Sequence, residues 1–277
     1  MNRYMAMAIQ NAWINNPLKT EDYKKDGLWY CGKCNMPKEK HFIDPFDKDE
    51  YNVPQNCNCI DEEYRKEQEL RQREENEIRR RQCFADPEIS LWDFAHDDGK
   101  SDSHAMQMAN NYVANFDKMF ADGIGLLIHG SVGVGKSYMA ACIANALIDK
   151  GKRCLLTDFT TIINRPFKRD DDRNQYVRGL AYDYDLLVID DLGRERNTTF
   201  ATETVVAVLE ARNRSKKPLI ITSNLTPKEL LATTDTTLKR IYSRLFEMCI
   251  PVKFVGADRR EIKMKNNTIR YASLLGL

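Results

Sequence analysis

The sequence predicts an α/β protein: a parallel sheet flanked by helices, preceded by a small cysteine module and a helical linker. Three observations carry this. From about Leu91 onward, short apolar runs alternate with segments of helical pattern. A glycine-rich loop, Gly130–Ser137, lies between one such run and one such segment. Four cysteines, Cys31, Cys34, Cys57 and Cys59, cluster well ahead of that region.

Residues 1–60 form the expected N-terminal module. Its second half, 27–60, is rich in Cys, Pro, Asn and Asp and reads as loop-rich. Cys31-Gly-Lys-Cys34 and Cys57-Asn-Cys59 make a CxxC…CxC set. Four thiolates suit a closed tetrahedral zinc. The segment is too small and polar to fold on apolar burial, so zinc would supply its stability. Free surface thiols, or His41 in place of one cysteine, are the competing readings. Residues 61–90 are the linker. Glu62/Lys66, Glu67/Arg71, Glu69/Arg73, Glu75/Arg79 and Glu77/Arg81 each put an acid four residues before a base. That order favours a solvated helix, each pair adding roughly 0.2–0.5 kcal/mol. Apolar positions are too few to bury a face, so the expected role is a spacer.

Residues 91–277 make the main domain. Ile124–His129, Cys154–Thr157, Leu186–Ile189, Pro218–Thr222 and Ile250–Val255 read as strands, with Ser137–Asp149 and Ala201–Arg212 among the segments between them. Continuous apolar strands separated by helices indicate a parallel sheet covered on both faces. The chain of 277 residues is 42% hydrophobic, enough for such a core. Lys+Arg (42) and Asp+Glu (41) nearly cancel, so any nucleic-acid site must be local. No apolar run approaches the ~20 residues that cross a bilayer. The first residues lack a basic stretch followed by a long apolar one, which argues against a signal peptide. Cys142, Cys154 and Cys249 lie in apolar runs and Cys83 ends a charged run, an arrangement that points to a reducing cytoplasm.

Gly130, Ser131, Val132, Gly133, Val134, Gly135, Lys136 and Ser137 match G-x-x-x-x-G-K-[ST] in full. Glycines let backbone N–H groups turn inward and cradle phosphates at a helix N-terminus. Lys136 would reach the β- and γ-phosphates of ATP, and Ser137 would ligate magnesium. Leu186-Leu-Val-Ile-Asp190-Asp191 ends an apolar strand on two carboxylates. Asp190 takes the magnesium-assisting role. Asp191 would orient or deprotonate the attacking water; it is one methylene shorter than the more usual Glu, so hydrolysis is expected to be slow without help.

Three further pieces join these: Pro218–Leu225 with a polar Asn224 after an apolar strand, Arg240-Ile-Tyr-Ser-Arg244 in a helical pattern, and Gly256-Ala-Asp-Arg-Arg260 after the last strand. With IDDLG at Ile189–Gly193, they resemble the DnaC/DnaI/IstB family of AAA+ ATPases over roughly Leu91–Arg260. The resemblance implies an AAA+ fold. It implies that Asn224 positions the water near the γ-phosphate, that Arg244 is an arginine finger reaching a neighbour's nucleotide, and that Arg260 contacts ATP in its own subunit. As residues alone, Asn224 also suits a turn or N-cap, Arg244 an exposed helix position, and Arg259 could serve for Arg260. The cysteine module resembles the helicase-loader branch, whose N-terminal domain grips the replicative helicase. The implied function is ATP-dependent loading of a hexameric, DnaB-type replicative helicase onto single-stranded DNA, with self-association or assembly on the helicase ring. The rivals are a transposition-helper ATPase of the same fold and a nucleotide-binding adaptor with little hydrolysis. Arg165, Phe167, Lys168 and Arg169 could stack on and neutralise single-stranded DNA, although three aspartates follow and a solvated loop reads equally well. Lys263, Lys265 and Arg270 offer a second basic patch. Trp92 and Phe94 suit either adenine or the core.

Overall fold

Asp26 and Gly27 turn the chain with positive φ angles of 49° and 80°, the geometry that a two-residue hairpin demands. They join β1 (Tyr23–Lys25) to β2 (Leu28–Tyr30) in the computed structural model. It describes residues 3–46, 48–97, 102–167, 169–193 and 198–275. Ahead of this hairpin runs α1 (Arg3–Asn15). After it, β3 (Glu39–Ile43) pairs antiparallel with β4 (Glu50–Pro54). Then α2 (Asn58–Cys83) begins. The chain forms two compact units, Met1–Glu74 and Glu75–Leu277, so α2 contributes to both.

The first unit holds an ion pair where a larger domain would hold a core. Lys38 Nζ donates to Asp22 Oδ2 at 2.7 Å and to the Pro17 carbonyl at 2.9 Å, and both side chains are buried. Burial works against ionisation of Asp22. The Lys38 ammonium and the N–H groups of Lys19 and Gly32 outweigh it and hold the carboxyl below its usual range. Every polar atom of such a buried pair needs a partner.

The second unit opens with the last turns of α2, followed by a 3₁₀ turn at Ile89–Leu91, then α3 (Ser103–Ala114) and α4 (Phe116–Asp122). The Asp102 carboxylate caps α3 by accepting from Ala105 N. The rest alternates strand and helix: β5 (Gly125–His129), α5 (Lys136–Asp149), β6 (Cys154–Asp158), α6 (Phe159–Asn164), α7 (Asp170–Tyr182), β7 (Leu186–Leu192), α8 (Thr199–Ser215), β8 (Leu219–Ser223), α9 (Pro227–Leu231), α10 (Thr236–Met248), β9 (Cys249–Lys253) and α11 (Arg259–Leu275). The strands form one parallel sheet in the order β6-β7-β8-β5-β9.

Alternate residues of each strand enter opposite cores. Leu126, Ile128, Val188 and Ile220 pack with α3 and α5; Leu127, Leu187, Ile189, Leu219 and Ile221 pack with α6, α7, α8 and α10. Both faces are apolar, which is why the strands read as unbroken hydrophobic runs. Full burial of a Leu or Ile is worth about 1.5–3 kcal/mol. Arg212 of α8 is also fully buried. Its guanidinium donates to the carbonyls of Ala181, Tyr184, Asp185 and Pro218, tying the entries of β7 and β8 together. Burial pulls its pKa down to about 10.

The linker helix departs from expectation at its end. Arg80 donates to Asn145 Oδ1 at 3.2 Å and pairs with Asp149, Asn76 donates to the Asp149 carbonyl at 3.5 Å, and Cys83 is buried. The last two turns therefore dock on α5, through polar groups that an apolar-face criterion does not register. Among the described residues no helix is long and apolar enough to cross a membrane.

Candidate nucleotide site

The sheet order places the ends of β7, β8 and β5 side by side, and β5 runs directly into the glycine loop. Two glycines there are required by geometry. A Cβ at Gly130 would collide with the Phe254 carbonyl; Gly133 has φ 77° and lies against the Asp258 carboxylate. The loop is also tied from outside, by Gly130 N donating to Ser223 O at 3.3 Å and Arg259 N donating to Gly133 O at 3.0 Å. Val134 is buried, while Val132 is exposed.

Lys136 opens α5 and is buried. Its Nζ donates to Gly130 O (3.0 Å), Ser131 O (2.7 Å) and Asn224 Oδ1 (2.8 Å). Burial lowers its pKa, with Arg260 acting in the same direction and Asp191 and Asp190 opposing. Ser137 Oγ donates to Asp190, lying 2.9 Å from each carboxylate oxygen, and Thr222 Oγ1 donates to Oδ1. Burial pushes the Asp190 pKa up; the hydroxyls of Thr222 and Ser137 pull against it. Magnesium takes oxygen ligands at about 2.0–2.1 Å in octahedral geometry, so adjacent ligands lie about 2.9 Å apart. Ser137 and Asp190 have the chemistry and spacing to share such an ion.

Asp191 has φ 59°, left-handed for a non-glycine residue, and the β7–β8 register shifts between Ile189 and Leu192. Its N–H donates to Thr222 Oγ1 at 2.9 Å. Thr222 thus orders both aspartates, a role invisible in the sequence because Thr is ordinary in strands. Residues held in this conformation cluster at functional sites.

The structure brings Gly130–Ser137, Asp190, Asp191 and Asn224 together, and the charge of Arg260 bears weakly on Lys136. Arg259, beside it, stands 5.9 Å from the Tyr138 ring centroid and 3.5 Å from Asp97 Oδ1. Arg244 is placed elsewhere: Nη1 donates to Glu210 Oε1 of α8 at 2.9 Å. The Trp92 ring is 5.6 Å from Tyr138, and with Phe94 it packs on the hydrophobic core.

The sequence model of the family described as IstB-like ATP binding protein matches residues 67–266. The chain belongs to that family. Among relatives of the IstB-like domain, the replicative helicase loader DnaI of Bacillus subtilis is 26% identical over 164 residues, 54% of this chain and 52% of that protein. The replicative helicase loader DnaC of Escherichia coli is 26% identical over 130 residues, 46% of this chain and 52% of that protein. An insertion sequence ATP-binding protein of Sinorhizobium fredii is 30% identical over 161 residues, 57% of this chain and 53% of that protein. The chain thus spans about half the length of the curated relatives it matches. A DnaI crystal structure shares the fold at a TM-score of 0.52 and 24% identity, covering 65% of this chain and 98% of that one. The IstB-like domain therefore has the AAA+ fold of the helicase loaders.

The four N-terminal cysteines fall outside the IstB-like match. Cys31, Cys34, Cys57 and Cys59 have their sulfur atoms all within 4.8 Å of one another. Tetrahedral zinc with bonds of ~2.3 Å needs sulfurs about 3.8 Å apart, so the cluster could hold that ion with a small contraction. Burial raises the Cys34 pKa, but the Met36 N–H and the Cys59 and Cys31 sulfurs outweigh it and bring the thiol down to about 7. His41 is not among the clustered residues, and its Nε2 lies 3.4 Å from Glu50. The other basic segments are less organised. Arg165 stacks over Tyr176 at 4.3 Å and Phe167 lies 5.6 Å from the same ring; Lys168 and the Lys263 side chain lie outside the described residues. Lys265 pairs with Glu261 at 2.7 Å.

Proposed function

We propose that this protein binds and hydrolyses ATP to load a hexameric, DnaB-type replicative helicase onto single-stranded DNA, in the cytoplasm. The ATPase half rests on the bond from Lys136 to Asn224, which puts the loop cation and a polar sensor on one point above β5 and β8. Phosphate oxygens are stronger acceptors than carbonyls. Lys136 would exchange Gly130 O, Ser131 O and Asn224 for them, freeing the Asn224 amide to orient a water. Asp191 would accept the proton of that water. Magnesium, held by Ser137 and Asp190, would neutralise developing phosphate charge. Arg260, with Arg259 beside it, would meet the triphosphate from its own subunit, and Arg244 would serve a neighbour's site. An arginine supplied from outside a site is worth on the order of 10³–10⁵ in rate in related systems.

The loader half rests on the cysteine cluster in a unit of its own, ahead of the ATPase, where zinc would build a partner-gripping module. A transposition-helper reading is favoured by the 30% identity to the Sinorhizobium fredii protein. The left-handed, shorter Asp191 keeps open an adaptor that hydrolyses little. One experiment separates them: capture of the host replicative helicase by the immobilised full chain, with and without ATP, for wild type and Lys136→Ala. ATP-dependent capture that Lys136→Ala abolishes, together with its affinity for a fluorescent ATP analogue, is expected. No capture in any nucleotide state overturns the loader reading, and undiminished ATP affinity in Lys136→Ala overturns the site.

A further inference from the structure

Glu210 of α8 stands at the centre of a cationic cluster. Its Oε1 accepts from Arg244 Nη1 at 2.9 Å and lies 4.0 Å from Arg240 Nη2, while its Oε2 lies 3.8 Å from Arg214 Nη1. Among the described residues it is the carboxylate within ion-pair distance of all three. Arg240 and Arg244 are one turn apart on α10, where like charges repel. The acid that draws them together comes from a different helix. The Arg244 side chain remains 41% exposed and that of Glu210 25%. A pair so open to solvent adds little to fold stability. A guanidinium has five N–H donors in a rigid fork, so one bond to Glu210 fixes the group and leaves donors for an incoming anion.

We propose that Glu210 is the positioning residue of the arginine finger: it holds Arg244 in the pose in which it meets the triphosphate bound by a second copy of this chain. The inference rests on the trans role of Arg244 given above. Glu210 touches no reacting atom, and its effect passes through Arg244. Without its charge, Arg240 and Arg244 splay apart and the finger is presented in many poses. The triphosphate site of the same subunit, built from β5, β7 and β8, stays as it was.

The test uses full-length Glu210→Gln, which keeps size and removes charge, at protein concentrations where wild-type subunits associate. The expected result is a fall in kcat of about tenfold, with KM for ATP, analogue affinity and thermal midpoint unchanged; Glu210→Asp recovers part of the loss. Adding excess Asp190→Asn subunits, inactive at their own site but carrying an intact finger, restores turnover per Glu210→Gln subunit. A merely structural defect would not be restored in this way. Unchanged or raised turnover in Glu210→Gln, or no restoration by Asp190→Asn, overturns the proposal. Arg244→Ala with Asp190→Asn, run in parallel, tests the reading beneath it. Recovery there with Glu210→Gln unaffected leaves the finger standing and removes Glu210. No recovery there, in subunits shown to associate, removes both.

Discussion

Asp190 lies near the end of β7, and the partial burial of its carboxyl raises its pKa against the hydroxyls of Thr222 and Ser137. A carboxyl whose folded pKa exceeds its unfolded one costs stability in the ionised form. The cost is complete above the folded pKa and disappears as pH falls through it toward the unfolded value. Asp190→Asn removes the charge, and the two hydroxyls can rotate to suit an amide. The variant is expected to melt higher than wild type at pH 7.5 without nucleotide, by about 2–4 °C for each kcal/mol recovered. The difference should shrink on acidification, while magnesium-dependent tightening of nucleotide binding is lost. Melting curves at pH 7.5 and 5 decide this; a variant less stable at the higher pH would show that the site stores no such strain. At this scale the sequence was legible where a residue belongs to a motif or to the family resemblance: Lys136 and Ser137 lie in the glycine loop, Asp190 follows an apolar run, Asn224 comes from the resemblance, and the structure brings the four together. Thr222, Glu210 and Arg212 were not, because a strand Thr, a helix Glu and a helix Arg have ordinary surface or structural uses. Only the fold shows which groups surround them.

The elements divide in the same way. The strands of the large unit were legible to within a few residues because burial on both faces makes each an unbroken apolar run. The hairpin β3–β4 was not, since its strands mix charged and apolar positions and its unit is held by Lys38–Asp22 rather than an apolar core. The docking of the last turns of α2 was missed because it is polar. Asn145 of α5 is its hub: Oδ1 accepts from Arg80, and Nδ2 donates to the carbonyls of Ile89 (3.2 Å) and Trp92 (2.8 Å). One buried amide therefore joins the helix that begins at Lys136 to the linker and to the segment before the core. Asn145→Ala would leave these partners without it, which costs about 1–3 kcal/mol when the groups are buried. Arg80→Ala, at the partly exposed edge of the same network, is expected to cost less. Urea unfolding followed by circular dichroism ranks the two. Equal or reversed costs would mean that Asn145 is not the hub.

At the scale of the whole molecule, two units stabilised by different physics share one chain. The unit at Glu75–Leu277 carries a sheet with two apolar cores. The unit at Met1–Glu74 has short hairpins, a buried ion pair and four converging cysteines. Structural zinc supplies folding free energy outright where apolar burial is insufficient. Cys34→Ser should therefore release zinc and unfold the first unit, while ATP affinity at Lys136 survives because the second unit has its own core. If the first unit grips the helicase, capture must fall with it. Three measurements on the one variant test this: zinc content, affinity for an ATP analogue, and helicase capture. Zinc loss with ATP affinity intact and capture abolished is the expected outcome. Zinc loss with capture unchanged would take the cysteine unit out of the partner interface and favour the transposition-helper reading. Loss of ATP affinity along with the zinc would mean that the second unit depends on the first to fold.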